Sequence, residues 1–252
     1  VIDVDALRAE LRHTLAVQGT PERAAQQTAY MKGVMPFYGV PMDAVRTTAA
    51  AIAKKYPPAN VDEWRDTALA IWRGAARREE LSFVEAWTGL RAAKKWHDSS
   101  LLPMYREMTL SGAWWDVVDW IAVHRVGAIL REHRAATAPT LLTWAAGDAL
   151  WLRRVAILAQ NHHRAATDWD FQQAVMAPSL SSTEAARKAW PGHNADLEFF
   201  LRKGIGWALR EYAKVEPARV VAYVAAHKHE LSGLSRREAL KHAPPDVRAE
   251  LV

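Results

Sequence analysis

The sequence predicts an all-α fold, a HEAT-like repeat α-solenoid of antiparallel helix pairs, from three observations. Nearly every segment repeats its apolar residues with a period near 3.6. Strand-like alternation bounded by turn pairs is missing. Helix start signals recur along the chain and imply about a dozen helices of roughly 8 to 20 residues. Pairing such helices every ~35 to 45 residues is the pattern of a solenoid, in which one helix of each pair lines a concave inner surface. Identity between the repeats is low, and an irregular bundle is the alternative arrangement. At 252 residues the chain can bury a large core without staples, and it reads as one repeat domain over residues 1–252.

The elements follow in order. Val1-Ile-Asp-Val-Asp-Ala-Leu-Arg8 is an amphipathic helix start and not a signal peptide. Thr20-Pro21-Glu22 places proline at the first helical position, where its missing N–H costs nothing. After the break Tyr56-Pro-Pro-Ala-Asn60, Asn60-Val-Asp-Glu63 reads as a capping box, and Ser235-Arg-Arg-Glu238 as a second one. Ser111, Asp148, Thr167 or Asp168, and Asn194 read as further N-caps. Ala138-Pro-Thr140 and Glu216-Pro217 read as breaks between helices. The segment near residues 177–193 has turn residues at both ends and reads as a loop or insertion holding a short helical turn.

Composition excludes several chemistries. The chain has no cysteine, which rules out a disulfide framework, a thiolate zinc site and a Cys nucleophile, and fits the cytoplasm. No run approaches the about eighteen apolar residues of a membrane span. The ten histidines form no metal set: His162-His163 and His227/His229 diverge on a helix, and there is no His-Glu-x-x-His. No P-loop, Gly-x-Ser-x-Gly or kinase signature occurs. The net charge of +5 gives a mild preference for polyanions, and twelve tryptophans are an unusual load for a soluble chain, which points to indoles on a working surface.

Three stretches carry chemistry. Ser111-Gly-Ala-Trp-Trp-Asp-Val-Val-Asp-Trp-Ile121 sets adjacent tryptophans and two acids into an apolar segment. There Trp115 and Asp119 share a helix face, a place to hold something flat or cationic. Trp151 and Arg154 share a face, which also fits a core indole with a snorkelling arginine. Lys203, Trp207, Arg210 and Lys214 form one stripe of three cations around an indole. Within that helix Gly204 and Gly206 each cost about 1 kcal/mol against Ala, so a close helix contact or backbone approach should offset them. In the second capping box, Arg236 and Arg237 would stand in the first helical turn, where the macrodipole disfavours cations unless an anion binds; a capped surface helix is the other reading.

In order and over nearly the whole chain, Ala29-Tyr-Met-Lys32 with Phe37-Tyr-Gly39, Trp114-Trp-Asp-Val-Val-Asp119, Trp151-Leu-Arg-Arg-Val-Ala-Ile-Leu158, the run Glu198 to Lys214 and Leu234-Ser-Arg-Arg-Glu-Ala-Leu-Lys241 resemble the AlkD-like DNA alkylation repair glycosylases. The resemblance implies a HEAT-like solenoid whose concave face binds duplex DNA, releasing cationic N3- and N7-alkylated purines. It implies Asp119 as the catalytic carboxylate, with Trp115 and Trp207 flanking the deoxyribose of the damaged nucleotide. Arg154 resembles an arginine contacting the DNA backbone beside the site, and Tyr30 a tyrosine lining the same cleft. The segment near 177–193 and the prolines Pro36 and Pro41 around the first aromatics depart from the family pattern and bear on lesion choice. A relative specialised for bulky adducts would keep the same three core residues and differ in cleft shape.

The chemistry agrees with that expectation. A cationic alkylpurine leaves as a neutral base, so no general acid is required. A single carboxylate can stabilise the oxocarbenium-like sugar and orient water, while indole faces attract the positive charge. Lys203, Arg210, Lys214, Arg236 and Arg237 would add phosphate contacts that set register without reading sequence. The expected protein is a monomeric, monofunctional glycosylase acting on duplex DNA that contains alkylated purines, without cofactor, metal or membrane, cytoplasmic and nucleoid-associated in a bacterium. A non-catalytic HEAT-like scaffold that binds damaged or branched DNA is the competing reading, and a protein-binding solenoid the third.

Overall fold

The structure, a computed structural model, describes residues 1–180 and 195–252, and the side chains of residues 195–197 are not described. The expected cap at Asn194 and residues 181–193 of the expected insertion lie outside the described residues. Among the described residues every regular element is helical and no strand occurs. The chain divides into two compact units, Val1–His97 and Asp98–Val252.

In the first unit α1 (Val4–Gln18), α2 (Pro21–Tyr30), α3 (Met42–Lys55), α4 (Val61–Arg73) and α5 (Arg78–Thr88) precede a 3-10 turn, Arg91–Trp96. Leu7, Leu11 and Leu15 of α1, Val45, Ala49 and Ile52 of α3, and Trp64, Ala68 and Ile71 of α4 are buried, the i, i+3/i+4 stripes that the 3.6 period requires. Thr20 accepts the Arg23 N–H ahead of Pro21, as expected. Asn60 Oδ1 accepts the Glu63 N–H at 2.9 Å. The reciprocal half of that capping box differs: the Glu63 carboxylate takes the N–H groups of Ala59 (2.7 Å) and Ile2 (2.6 Å), fastening the chain start to α4.

The second unit contains α6 (Leu102–Gly112), α7 (Trp115–Ile121), α8 (Gly127–Glu132), α9 (Arg134–Ala146), α10 (Leu150–Leu158), α11 (Trp169–Met176), α12 (Ala195–Ala213), α13 (Pro217–Ala226), α14 (Gly233–Ala239) and α15 (Pro245–Leu251). A π-helical turn, Ala122–Val126, joins α7 to α8. All nine residues of α10 are buried, so it is the axis of this unit, packed against α6, α7, α9, α11 and α12.

Several expected boundaries are corrected here. Ser111 is no N-cap: α6 runs through Gly112 and ends on Ala113 in the left-handed region (φ 33), while the Ser111 hydroxyl donates back to the Glu107 carbonyl at 2.7 Å. Trp114, extended at φ −147, occupies the cap position of α7. Ala149, not Asp148, precedes α10. Asp168 caps α11 by accepting the Phe171 N–H at 2.9 Å, so of the Thr167/Asp168 pair the acid serves. Pro139 does not break its helix; α9 passes through it. Ser232 Oγ accepts the Ser235 N–H at 3.0 Å and is the true cap of α14, three residues before the expected one. Arg236 and Arg237 therefore fall in the last turn of that short helix, where the macrodipole favours cations.

Candidate active site

Three helices of the second unit supply the expected core. Asp119 and Trp115 stand one turn apart on α7, both half-buried. From the buried axis α10, the Arg154 guanidinium reaches across and donates to both carboxylate oxygens, Nε to Oδ1 at 2.6 Å and Nη2 to Oδ2 at 2.8 Å. Its Nη1 donates to the Phe200 carbonyl of α12. Such a bidentate, charge-assisted fork fixes the carboxylate plane as well as its charge. The Arg154 side chain is 4% exposed and that of Asp119 16%, so the open side of the pair is on the carboxylate.

Burial pushes the Asp119 carboxyl above its ordinary value, the Arg154 guanidinium pulls it down, and the nearby Asp116 charge adds a smaller push upward. The net direction is upward, which leaves an electron-rich carboxylate that gains by meeting positive charge.

Arg154 can cross to α12 because Gly204 stands there. A Cβ at Gly204 would lie 3.0 Å from the Arg154 Nη1. Gly206, two residues further on, faces α14, where a Cβ would lie 2.5 Å from the Glu238 Cβ and 2.8 Å from the Ser235 carbonyl oxygen. Gly206 thus sits at the close helix contact expected of the pair, whereas Gly204 makes room for a side chain, the Arg154 guanidinium. Trp207 follows Gly204 by three residues, on the same face of α12, and is half-buried. Its Nε1–H donates to Glu211 Oε1 at 3.3 Å. Burial opposes the Glu211 charge, but the Lys214 ammonium, at 2.7 and 2.8 Å from its two oxygens, outweighs it together with the indole N–H and holds the carboxyl below its ordinary value.

Behind the pair lies an aromatic wall. Trp151 packs on Phe200 with centroids 5.1 Å apart, and Trp114 meets both edge-on at 6.3 and 5.4 Å. Trp151 is therefore a core indole, as its alternative reading has it. Arg154, beside it, is buried and paired, not snorkelling to solvent. Trp64, Trp72, Trp87 and Trp144 are also core.

The remaining expected contacts are distributed differently. Tyr30 ends α2 in the first unit and is 72% exposed. Lys203 and Arg210 both pair with Glu238 of α14, a sink for cationic charge that sequence spacing does not reveal because it lies 28 and 35 residues away. Lys214 pairs with Glu211. Arg236 donates to the carbonyls of Lys228 and Val252, which ties it to the chain end, whereas Arg237 is exposed. Glu211 and Glu238 are the two functional neighbours that sequence reasoning missed. Only the i, i+4 spacing of Trp207 and Glu211 carried any signal.

A family model described as DNA alkylation repair enzyme matches residues 11–243. A solved structure, a predicted DNA alkylation repair enzyme from Enterococcus faecalis, is 24% identical and superposes with a TM-score of 0.68 over 90% of this chain and 98% of that one, a likeness of fold. The curated proteins contain no match. Among the described residues no helix is long and apolar enough to cross a membrane.

Proposed function

Since the chain belongs to the DNA alkylation repair enzyme family, we propose that it is a monofunctional DNA glycosylase hydrolysing the N-glycosidic bond of cationic N3- and N7-alkylpurines in duplex DNA. The observation that carries this reading is the Asp119 carboxylate, its side chain only 16% exposed, held by Arg154 at 2.6 and 2.8 Å and sharing its helix face with Trp115. Alkylation at N3 or N7 puts a positive charge on the purine. As the C1′–N bond lengthens, the electron pair leaves with the base, which departs neutral, and positive charge moves to the sugar. Asp119 faces that charge and accepts a hydrogen bond from the attacking water, whose proton passes to the carboxylate as the C1′–O bond forms and from there to solvent. Trp115 and Trp207 present indole faces to the cationic sugar. Arg154 acts as a positioning residue, since Nε and Nη2 hold Asp119 and Nη1 holds the Phe200 carbonyl.

DNA is the partner the family implies, with Tyr30, Lys203, Arg210, Lys214, Arg236 and Arg237 as candidate contacts. Release of 7-methylguanine and 3-methyladenine from methylated duplex DNA is the direct test. Asp119→Asn should slow release by about 10²- to 10³-fold, the usual effect of removing one preorganised electrostatic group. Release by Asp119→Asn at the wild-type rate would overturn the mechanism. Salt-sensitive DNA binding without release of any base would assign the chain to the scaffold reading.

A further inference from the structure

One helical turn beyond the Asp119 and Trp207 positions, the same three helices form a second cluster. The π-helical turn after α7 carries His124 and α10 runs out into a turn bearing Asn161, His162 and Arg164, while α12 continues from Trp207 to Glu211 and leads into Lys214 just past its end. The His124 and His162 rings meet at 5.8 Å. Between the α10 turn and α12 lies a cavity of about 300 Å³ lined by Asn161, His162, Arg164, Thr167, Glu211 and Lys214 among others.

We propose that this cavity holds a phosphodiester group of the bound DNA strand, next to the sugar that faces Asp119. The inference rests on the DNA reading above and adds Asn161 and Arg164, which that reading does not use, to Lys214, which it does.

The chemistry of the lining selects an anion with several acceptor oxygens. Asn161 lines the cavity and is 2% exposed, yet its Nδ2 finds no hydrogen-bond partner among the described residues, so the wall of the cavity holds an unsatisfied donor. Buried donors without partners are rare, and each calls for an acceptor. Arg164 is exposed and makes no ion pair among the described residues, and Lys214, just past the end of α12, lines the same cavity. The single acid in the lining, Glu211, is matched by Lys214 and by the Trp207 N–H, so the cavity keeps a cationic surplus from Arg164. A divalent cation is disfavoured by those cations, and among the described residues no three metal-ligating side chains converge. His162 and Arg164 are both held in the left-handed region, at φ 73 and 55. Non-glycine residues occupy that region at a cost that tends to be retained where a turn must aim side chains at a ligand.

Because Glu211 touches both Lys214 and Trp207, phosphate binding is coupled to the indole. The phosphate engages Lys214, and Glu211 remains on the Trp207 N–H.

The test measures binding of the intact protein to a duplex carrying one tetrahydrofuran abasic analogue, over a range of salt. The duplex is prepared with each neighbouring linkage replaced in turn by a neutral methylphosphonate. Arg164→Ala and Lys214→Ala should each reduce the slope of log K against log salt by about 0.9. Asn161→Asp, which turns the donor into a carboxylate, should weaken binding further. One neutral linkage flanking the analogue should weaken the wild type and have no effect on the double variant Arg164→Ala with Lys214→Ala. Unchanged slopes in the exposed Arg164→Ala variant, or neutral linkages that act equally on wild type and double variant at every position, would overturn the assignment. Failure of the glycosylase reading is seen separately. Reduced slopes without base release keep the phosphate site and discard the chemistry, and base release with unchanged slopes does the reverse.

Discussion

Arg154 grips both carboxylate oxygens of Asp119 while its third nitrogen is tied to the Phe200 carbonyl of the next helix, so the acid and the helix bearing Trp207 are set by one side chain. The carboxyl is raised by burial and lowered by Arg154, with burial ahead. The ionised form is the active one, so base release should fall as pH drops through a value above the ordinary carboxylate range. Removing Arg154 removes the lowering influence, and in Arg154→Met the acid limb should move to higher pH. Stability has the opposite sign. A carboxyl raised in the folded state favours folding while protonated and loses that contribution as pH rises through the raised value. Arg154→Met should therefore be least stable near neutrality, by about 3–5 kcal/mol, the cost of an unpaired buried charge. pH profiles of base release together with thermal melts check both, and an acid limb that stays in place would contradict the role assigned to Arg154.

The two glycines of α12 should separate activity from stability. At Gly206 an added methyl meets Glu238 Cβ at 2.5 Å and a backbone oxygen of Ser235 at 2.8 Å. Overpacking of that kind costs about 1–3 kcal/mol and exceeds the ~1 kcal/mol that Ala gains in helix propensity. Gly206→Ala should lower the melting temperature. At Gly204 the obstacle is the Arg154 Nη1 at 3.0 Å, a group that can give by a few tenths of an ångström. Gly204→Ala should melt near the wild type yet release bases more slowly, because the displaced guanidinium turns Asp119. Melts and release rates of the two variants, compared side by side, test the distinction. Equal loss of stability in both would reject it.

The pattern of local interactions explains what could be read from residue order. The proline at Pro21 and the caps at Thr20, Asn60 and Asp168 act within three residues of themselves, and sequence spacing contains them. Trp115, Asp119 and Gly204 were legible for the same reason, through helix periodicity. Ser111 and Ser235 misled because a hydroxyl within a helix can find another acceptor: Ser111 the Glu107 carbonyl one turn back, Ser235 the Arg202 carbonyl of α12. With Ser232 and Ser235 three apart, both fit a cap pattern, and packing of α14 on α12 selects the first. Glu238 was hidden because its partners Lys203 and Arg210 come from another helix, and the mixed-sign balance of a surface depends on which helices meet.

Glu238 should act as a brake on DNA binding. It binds both Lys203 and Arg210, and although its burial opposes ionisation, those two cations hold its carboxyl below its ordinary value. In Glu238→Gln the cations lose their acid and turn to phosphate. The salt dependence of DNA binding should steepen, by about 0.9 in slope for each cation that gains a phosphate. The wild type should also lose the stability due to these pairs as pH falls through the lowered glutamate value, a loss the variant cannot show. Titration of binding against salt decides the first point, and melts between neutral and acid pH the second. A shallower slope in Glu238→Gln would exclude the brake.

In the first unit, Glu79 holds a turn of the chain by its backbone. The side chain is buried, and its two oxygens accept the N–H groups of Tyr38 at 2.9 Å, Gly39 at 2.8 Å and Val40 at 3.0 Å. Gly39 is required in this turn, with φ 88 and space so tight that a Cβ would lie 2.1 Å from the Thr20 carbonyl oxygen. Three charge-assisted bonds from consecutive amides make the carboxylate the internal partner of a segment that has no helix of its own. Glu79→Ala leaves those amides without an acceptor and should cost about 3–5 kcal/mol, whereas Glu79→Gln keeps one carbonyl oxygen and should cost roughly half as much. Amide hydrogen exchange reads the effect where it arises. Tyr38, Gly39 and Val40 should lose protection in Glu79→Ala and retain part of it in Glu79→Gln, ahead of any change in the α1 core around Leu7 and Leu11. Uniform loss across the unit in both variants would show that Glu79 supports the whole core and not this turn.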